Sequence, residues 1–191
     1  PRHMPQPLWT MIHLVTLGVL SNGIFQWSWF FARSLARLAA DDRRAHSDNL
    51  RRMLSFNACF ALLLVSMWLG WFIGTIVAAT GIAVIAAWHG AAMLSVLRER
   101  LASRFVVVVR YYVCAAAFFV LTALLAGFVT TTMFSSSIPE AFLAMRDRLT
   151  FAHALSGVGG WLGLSIGGTA ITLGPTILRT RMSPDAGSWG I

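Results

Sequence analysis

Three histidines, His13, His89 and His153, lie inside long apolar stretches of the sequence. A polar side chain that is buried in hydrocarbon without a partner is energetically expensive, so an ionisable residue there indicates a function. Imidazole is the commonest metal ligand in proteins and the usual axial ligand of haem iron. The three histidines are therefore candidate cofactor-binding and metal-binding residues. For each of them, the alternative is a structural histidine that is hydrogen-bonded to a carbonyl of a neighbouring helix.

Two of these histidines are predicted to lie at the same depth in a membrane. At about 1.5 Å of rise per helical residue, His13 and His153 each lie roughly 7 Å below the same face. By the same count, His89 lies roughly 13 Å from the opposite face, near the bilayer middle. Two helices that each place an imidazole at one level suit a haem held by an axial pair, with His89 as the alternative partner.

A second metal chemistry is suggested by methionines near the same face. Thioether and imidazole groups together suit Cu(I), which makes copper the alternative to haem, whereas methionine that only fills gaps in packing is the structural alternative. The residues concerned are Met4, Met11, Met133 and Met145, beside His3, His13 and His153. Tryptophans within the spans either wall a porphyrin or belong to an ordinary core, and Trp9 is predicted to anchor the membrane interface.

The composition predicts an integral membrane protein. Of the 191 residues, 57% are hydrophobic and 12% charged, and the mean hydropathy is +0.70. Helices are expected because barrel strands are half as long as these apolar runs and open strand edges are not tolerated in lipid. The predicted fold is an all-α polytopic bundle with about five spans. They cover about Leu8 to Leu35, Met53 to Gly74, Ile76 to Leu97, Phe105 to Thr130, and Leu149 to Leu178.

The arginines predict how the chain is oriented. Most of them fall in the first connection, the third connection and the C-terminal end, which the positive-inside rule places in the cytoplasm. We therefore expect a multi-pass protein of the cytoplasmic (plasma) membrane, in contact with the lipid bilayer, with its N-terminus outside and its C-terminus cytoplasmic. This orientation explains the net charge of +8 without a nucleic-acid partner.

The chain is expected to be a single transmembrane domain over residues 1–191, cut from a longer polypeptide because it begins at Pro1. Further transmembrane helices of that longer polypeptide would then be among the partners that this chain packs against. No catalytic triad, phosphate loop or pair of carboxylates stands in the sequence, and no predicted span contains the acidic residue of a proton relay. A proton-coupled transporter is not favoured, and whether the protein is an enzyme stays open.

Local signals predict three further features. A tight turn around Gly74 makes the second and third spans an antiparallel hairpin. Gly159, Gly163 and Gly167 recur every four residues and favour the close approach of another helix, or else room for a flat prosthetic group. Ser137 and Glu140 form a capping-box pattern that predicts a helix start, although the sequence does not decide whether that helix lies along the interface or enters the fifth span.

A series of short motifs runs along nearly the whole chain: His13-Leu14, Leu17-Gly18, Ser21-Asn22, Trp27-Ser28, Trp88-His89, Arg104-Phe105, Arg110-Tyr111-Tyr112, Ala152-His153-Ala154, Gly160-Trp161-Leu162-Gly163-Leu164, Gly168-Thr169, Thr172-Leu173 and Pro175-Thr176-Ile177-Leu178-Arg179-Thr180-Arg181. In this order the motifs resemble the membrane region of actinobacterial multicopper oxidase-like proteins, of the copper oxidase and nitrite reductase type. The membrane region is distantly similar to haem-copper oxidases and to nitric-oxide-response membrane proteins.

The resemblance implies that a multi-helix membrane region precedes an extracytoplasmic cupredoxin-type domain. The chain departs from the family pattern at two positions, since Trp29-Phe30-Phe31 follows Trp27-Ser28 without a histidine, and Gly157 replaces an asparagine after Ala152-His153-Ala154. Only His13, His89 and His153 therefore carry over as candidate ligands.

Together these features predict a membrane redox or anchoring module. It would bind a b-type haem through intramembrane histidines and exchange electrons with an extracytoplasmic copper domain, as the membrane part of an oxidoreductase. The alternatives are a cofactor-free membrane anchor and a copper-handling membrane protein.

Overall fold

The computed structural model describes residues 6–35, 47–99, 106–134 and 140–180, which form five long helices. All five are long and apolar enough to cross a membrane, and no strand is found in the described ranges. This confirms the predicted all-helical fold and the number of spans. The helices are α1, made of Gln6–His13, a π-helical segment Leu14–Ser21 and Asn22–Leu35; α2, Ser47–Leu69; α3, Phe72–Glu99; α4, Val106–Phe134; and α5, made of Glu140–Ala154, a π-helical segment Leu155–Gly163 and Leu164–Ile177.

The turn between α2 and α3 is centred on Gly70, so the prediction of a turn at Gly74 is wrong. Gly70 has a φ of +67°, which glycine adopts without steric cost. The Gly70 amide donates to the Met67 carbonyl at 3.4 Å, and the Trp71 amide donates to the Ser66 carbonyl at 2.8 Å. These two bonds form a Schellman motif, which ends α2. Gly74 lies inside α3.

The end of the bundle that carries Gln6, Gly70, Phe134 and Glu140 is named the Gly70 end. Phe72 and Phe134 meet there with ring centres 6.0 Å apart, and the Gln6 side chain donates to the Met67 carbonyl at 3.3 Å. The predicted orientation makes this the extracytoplasmic end.

The fifth helix is continuous from Glu140, which decides one question that the sequence left open. Its first segment, Glu140–Ala154, runs directly into the span and does not form a separate interfacial helix. Ser137, the other half of the predicted capping box, lies outside the described residues.

Aromatic residues dominate the core in the middle of the bundle. Phe25, Phe56, Phe119 and Trp161 come from four different helices and pack against one another. A second apolar cluster around Trp29, Met93, Val108 and Tyr112 lies towards the end of the bundle opposite Gly70. Only 11% of the most apolar window of α1 is buried, compared with 50% for α3, so α1 lies at the edge of the bundle.

Polar side chains connect this peripheral helix to α2. Asn22 and Asn57 exchange two side-chain hydrogen bonds, of 3.1 and 2.8 Å. Each amide also donates to a carbonyl of its own helix, Gly18 for Asn22 and Met53 for Asn57, both at 2.8 Å. The polar groups of both side chains therefore have partners, as is common where helices associate in lipid.

The glycines closest to α4 are Gly160 and Gly168, whereas of the predicted glycines only Gly167 lies against α4, where an added Cβ would be 4.0 Å from Cε1 of Tyr111. A Cβ atom on Gly160 would lie 2.4 Å from Cγ of Phe118, and one on Gly168 would lie 2.7 Å from Cβ of Tyr111. At Gly159 and Gly163 a Cβ would meet atoms of α5 itself, at 3.6 and 3.3 Å. The predicted stripe assumed a regular α-helix, but the wider turns of the π-helical segment move residues four apart off a common face.

Candidate cofactor site

A half-enclosed cavity of about 250 Å³ opens among the five helices in the half of the bundle nearest Gly70. Its lining is mainly aliphatic and aromatic, with a few hydroxyl groups and two imidazoles. Each helix contributes, for example His13 from α1, Met67 from α2, Ala79 from α3, Thr122 from α4 and His153 from α5.

His13 and His153 are neighbours in the lining of this cavity. Their ring centres are 6.3 Å apart and the ring planes differ by 21°. Both residues line the cavity and are half-buried. The equal depth expected from counting residues along two helices thus corresponds to a close pair of nearly parallel rings.

The ring of His13 is held by Trp9, one turn earlier in α1. Nδ1 of His13 donates to the Trp9 carbonyl at 2.8 Å, and the indole stacks on the imidazole with 4.1 Å between ring centres. A carbonyl can only accept, so the proton of a neutral imidazole lies on Nδ1 and leaves Nε2 with a free lone pair. Trp9, predicted as an interface anchor, therefore also orients a candidate ligand.

The ring of His153 is held by α4. Its Nδ1 donates to the Thr122 carbonyl at 2.9 Å, and the Thr122 hydroxyl bonds to the Phe118 carbonyl at 2.7 Å and to the Ser156 hydroxyl at 3.0 Å. A Cβ on Gly157 would lie 3.2 Å from Cγ2 of Thr122. The missing side chain of Gly157 therefore allows the close approach of α4 that brings this carbonyl to the histidine.

Both imidazoles thus carry the support typical of metal-bound histidine. In each ring a backbone carbonyl fixes Nδ1–H, and within the described part of the chain Nε2 has no hydrogen-bond partner. This arrangement sets the tautomer and the ring orientation before any ligand binds.

Both histidines also stand at the start of a π-helical segment. His13 directly precedes Leu14–Ser21, and His153 is followed one residue later by Leu155–Gly163. Single π-helical turns often occur at functional sites. The surrounding sequences, Thr10-x-x-His13-x-x-Thr16 and Thr150-x-x-His153-x-x-Ser156, share a pattern that could have revealed the pair as related positions.

His89 is not brought to this pair. It is fully buried, its Nε2 lies 2.9 Å from the Ser28 hydroxyl, and its ring packs edge-on against Phe25 at 4.6 Å. It does not line the cavity, although Trp161, 6.4 Å away between ring centres, does. Nδ1 of His89 has no partner among the described residues.

The methionines considered for copper are not gathered at the imidazoles. Met11 and Met145 are 57% and 48% exposed, and neither Met11, Met133 nor Met145 lines the cavity. Met4 and His3 lie outside the described residues. Over the ranges described, no group of three or more His, Cys, Asp or Glu side chains is placed to hold a metal ion.

The distance between the two ring centres equals the separation expected if one metal were bound end-on by both imidazoles through Nε2. Two metal–nitrogen bonds of about 2 Å in line, with about 1.2 Å from each nitrogen to its ring centre, separate the centres by roughly 6.4 Å. The distance found is 6.3 Å. A haem needs only two protein ligands, because its porphyrin supplies the others, and its macrocycle suits an apolar cavity.

Residues that sequence reasoning missed are those that support the ligands. Thr122 and Trp9 act through their backbone carbonyls, which carry no residue-type signal.

Comparison of the chain with protein-family models, with curated proteins and with solved structures gives no match.

Proposed function

We propose that the protein is a membrane-embedded b-type haem protein in which His13 and His153 would hold the haem iron. The observation that carries this proposal is the spacing of the two imidazoles, 6.3 Å between ring centres. The free Nε2 atoms and the apolar cavity support it. When bound, the haem supplies one-electron chemistry, while the protein supplies the ligands, their orientation and the dielectric environment that tune the potential.

The residues around the site have separate roles in this proposal. The carbonyls of Trp9 and Thr122 hold each imidazole in the tautomer that leaves Nε2 free, and they raise its basicity. Trp161 and Phe119, which stack with 4.7 Å between ring centres, close the cavity towards the bundle core and exclude water. His89 serves as a structural histidine through its bond with Ser28.

The proposed electron partner lies outside the cytoplasm. The positive-inside rule places the Gly70 end on that side, so the cofactor would lie within reach of a soluble donor or acceptor. The family resemblance supports a cupredoxin-type copper domain as that partner, which makes this chain the membrane part of an oxidoreductase.

Copper in place of haem is the second candidate, because the same ring spacing also fits a single Cu(I) held in line by two imidazoles. The apolar space beside the pair favours haem, since a bare ion leaves that space unused. A cofactor-free anchor is the third candidate. In this case the hydrogen bonds of His13 and His153 to backbone carbonyls would be enough to stabilise the two imidazoles inside the bundle.

An absorption spectrum of the protein purified in non-ionic detergent tests the three candidates. We expect a Soret band and a low-spin reduced spectrum after expression with haem supply. His13→Ala and His153→Ala should each abolish the low-spin spectrum, added imidazole should restore it, and the matched control His89→Gln should keep it. Stoichiometric copper without a Soret band would support the copper candidate instead of haem. A folded protein that takes up neither haem nor copper would support the cofactor-free anchor.

A further inference from the structure

The two ends of the cavity differ in polarity. Towards the bundle core it is lined by Phe119, Trp161 and Leu162, whose exposed fractions are 2%, 3% and 7%. The Ser21 hydroxyl also lines this part, but it accepts from Nε1 of Trp161 and donates to the Thr16 carbonyl, so neither group has a donor left for a ligand. A carboxylate placed against these side chains would lose its hydration without gaining a partner. An amphipathic ligand therefore has one favourable orientation, with its charged groups directed away from this apolar end.

Hydroxyl groups line the other part of the cavity, nearer Gly70. Thr75, Thr130 and Thr150 contribute them from α3, α4 and α5. The Thr150 hydroxyl donates to the carbonyl of Arg146 at 2.9 Å, which connects the cavity lining to the turn of α5 that carries Arg146.

Arg146 lies on the same face of α5 as the cavity residues. Arg146, Thr150 and His153 follow the four-and-three spacing that places side chains one above another on a helix. Arg146 is half-buried, whereas its neighbours Met145, Asp147 and Arg148 are exposed. Of the two arginines in this turn, Arg146 is therefore the one on the cavity side of α5, beyond Thr150 at the edge of the lining, and Arg148 is exposed.

The axial distance from the ligand pair suits the carboxylate-bearing edge of a macrocycle. Arg146 lies two turns before His153, which is about 10 Å along the helix axis. A guanidinium offers a planar pair of donors that matches a carboxylate.

We propose that the cavity orients its ligand, with the carboxylates of the ligand at the Gly70 end and Arg146 as the residue that receives them. This inference rests on the proposed function, because it takes haem b, whose two propionates lie on one edge, as the ligand. It makes Arg146 a residue that positions the cofactor and leaves the iron ligands to His13 and His153. The edge that carries the propionates then becomes the part of the cofactor nearest the extracytoplasmic partner.

The test is an equilibrium titration of the full chain in non-ionic detergent with ferric haem b and with its dimethyl ester. The ester keeps the macrocycle and the iron but lacks the two negative charges. We expect the original protein to bind the diacid about tenfold more tightly than the ester, as one charge-assisted interaction allows. Arg146→Gln should bring the two dissociation constants close together by weakening the diacid alone.

Arg148→Gln is the matched control, since it removes the same charge two residues away on the exposed face. It should keep the preference for the diacid, and all three proteins should keep a low-spin Soret spectrum with either ligand. A preference that persists in Arg146→Gln, or that is lost equally in Arg148→Gln, overturns the inference and leaves the haem proposal intact. If the unmodified protein binds neither compound, the proposed function itself fails.

Discussion

The imidazole planes of His13 and His153 differ by 21°, although the two residues come from the first and the last helix of the bundle. If both imidazoles held one haem iron in this relative orientation, they would split the iron d orbitals strongly, whereas perpendicular rings would leave two of the orbitals close in energy. We expect ferric protein loaded with haem to give a rhombic low-spin electron paramagnetic resonance spectrum. A highly anisotropic low-spin signal would mean that the rings are crossed, and a high-spin signal would mean that one of them is not a ligand.

The contact between Gly160 and Phe118 leaves no room for a side chain at position 160 of α5. A Cβ on Gly160 would lie 2.4 Å from Cγ and 2.5 Å from Cβ of Phe118, atoms too close to the backbone to move aside. We expect Gly160→Ala to lower the free energy of unfolding by about 1–3 kcal/mol, measured by denaturant titration in detergent with circular dichroism. Gly159→Ala is the control, because its added methyl group meets only Leu155 at 3.6 Å. Equal losses in the two variants would refute the assignment of the packing face.

The reciprocal bonds between Asn22 and Asn57 should hold α1 against α2. A double-mutant cycle with Asn22→Leu and Asn57→Leu should give a coupling energy of about 0.6 kcal/mol, typical of side-chain hydrogen bonds between membrane helices. Each single variant removes the hydrogen-bonding partner of the remaining amide. The free energy of unfolding lost for each hydrogen bond removed should therefore be larger in a single variant than in the double variant. Additive effects of the two substitutions would show that the interaction between Asn22 and Asn57 does not stabilise the contact between α1 and α2.

The left-handed conformation of Gly70 should make the hairpin turn sensitive to substitution. Gly70→Ala forces a Cβ into a φ of +67° and should cost about 1 kcal/mol of unfolding free energy, measured by the same titration. Gly127→Ala serves as the opposite control. It adds a methyl group where nothing lies within 4 Å, in the interior of α4, so stability should rise by up to about 1 kcal/mol. A neutral Gly70→Ala would argue against the Schellman turn.

Features that depend on one helix at a time were predictable from the sequence. The five spans follow from runs of apolar residues that match the thickness of a bilayer. The common level of His13 and His153 follows from counting residues along each helix. Glu140, predicted to lie in the first turn of a helix, lies in α5, whereas Ser137 is outside the described residues.

Features that depend on rotation about a helix axis were not predictable in the same way. Gly159, Gly163 and Gly167 were placed on one contact face by assuming regular α-helical turns. The π-helical segment Leu155–Gly163 turns Gly159 and Gly163 away from α4, whereas Gly167, beyond this segment, still lies against Tyr111 of α4. Gly70 and Gly74 are both plausible turn residues in the sequence, and only the backbone bonds to Ser66 and Met67 distinguish them.

By itself, the sequence determined a helical membrane protein with histidines at defined depths, because hydropathy and helical rise are local properties that need no neighbouring helix. The tertiary structure alone decided that His153 is held by a carbonyl of α4, that His89 bonds to Ser28 away from the pair, and that a cavity remains beside His13. These outcomes require contacts between residues far apart in the chain. They depend on backbone atoms and on how each helix is rotated when it packs, neither of which residue types record.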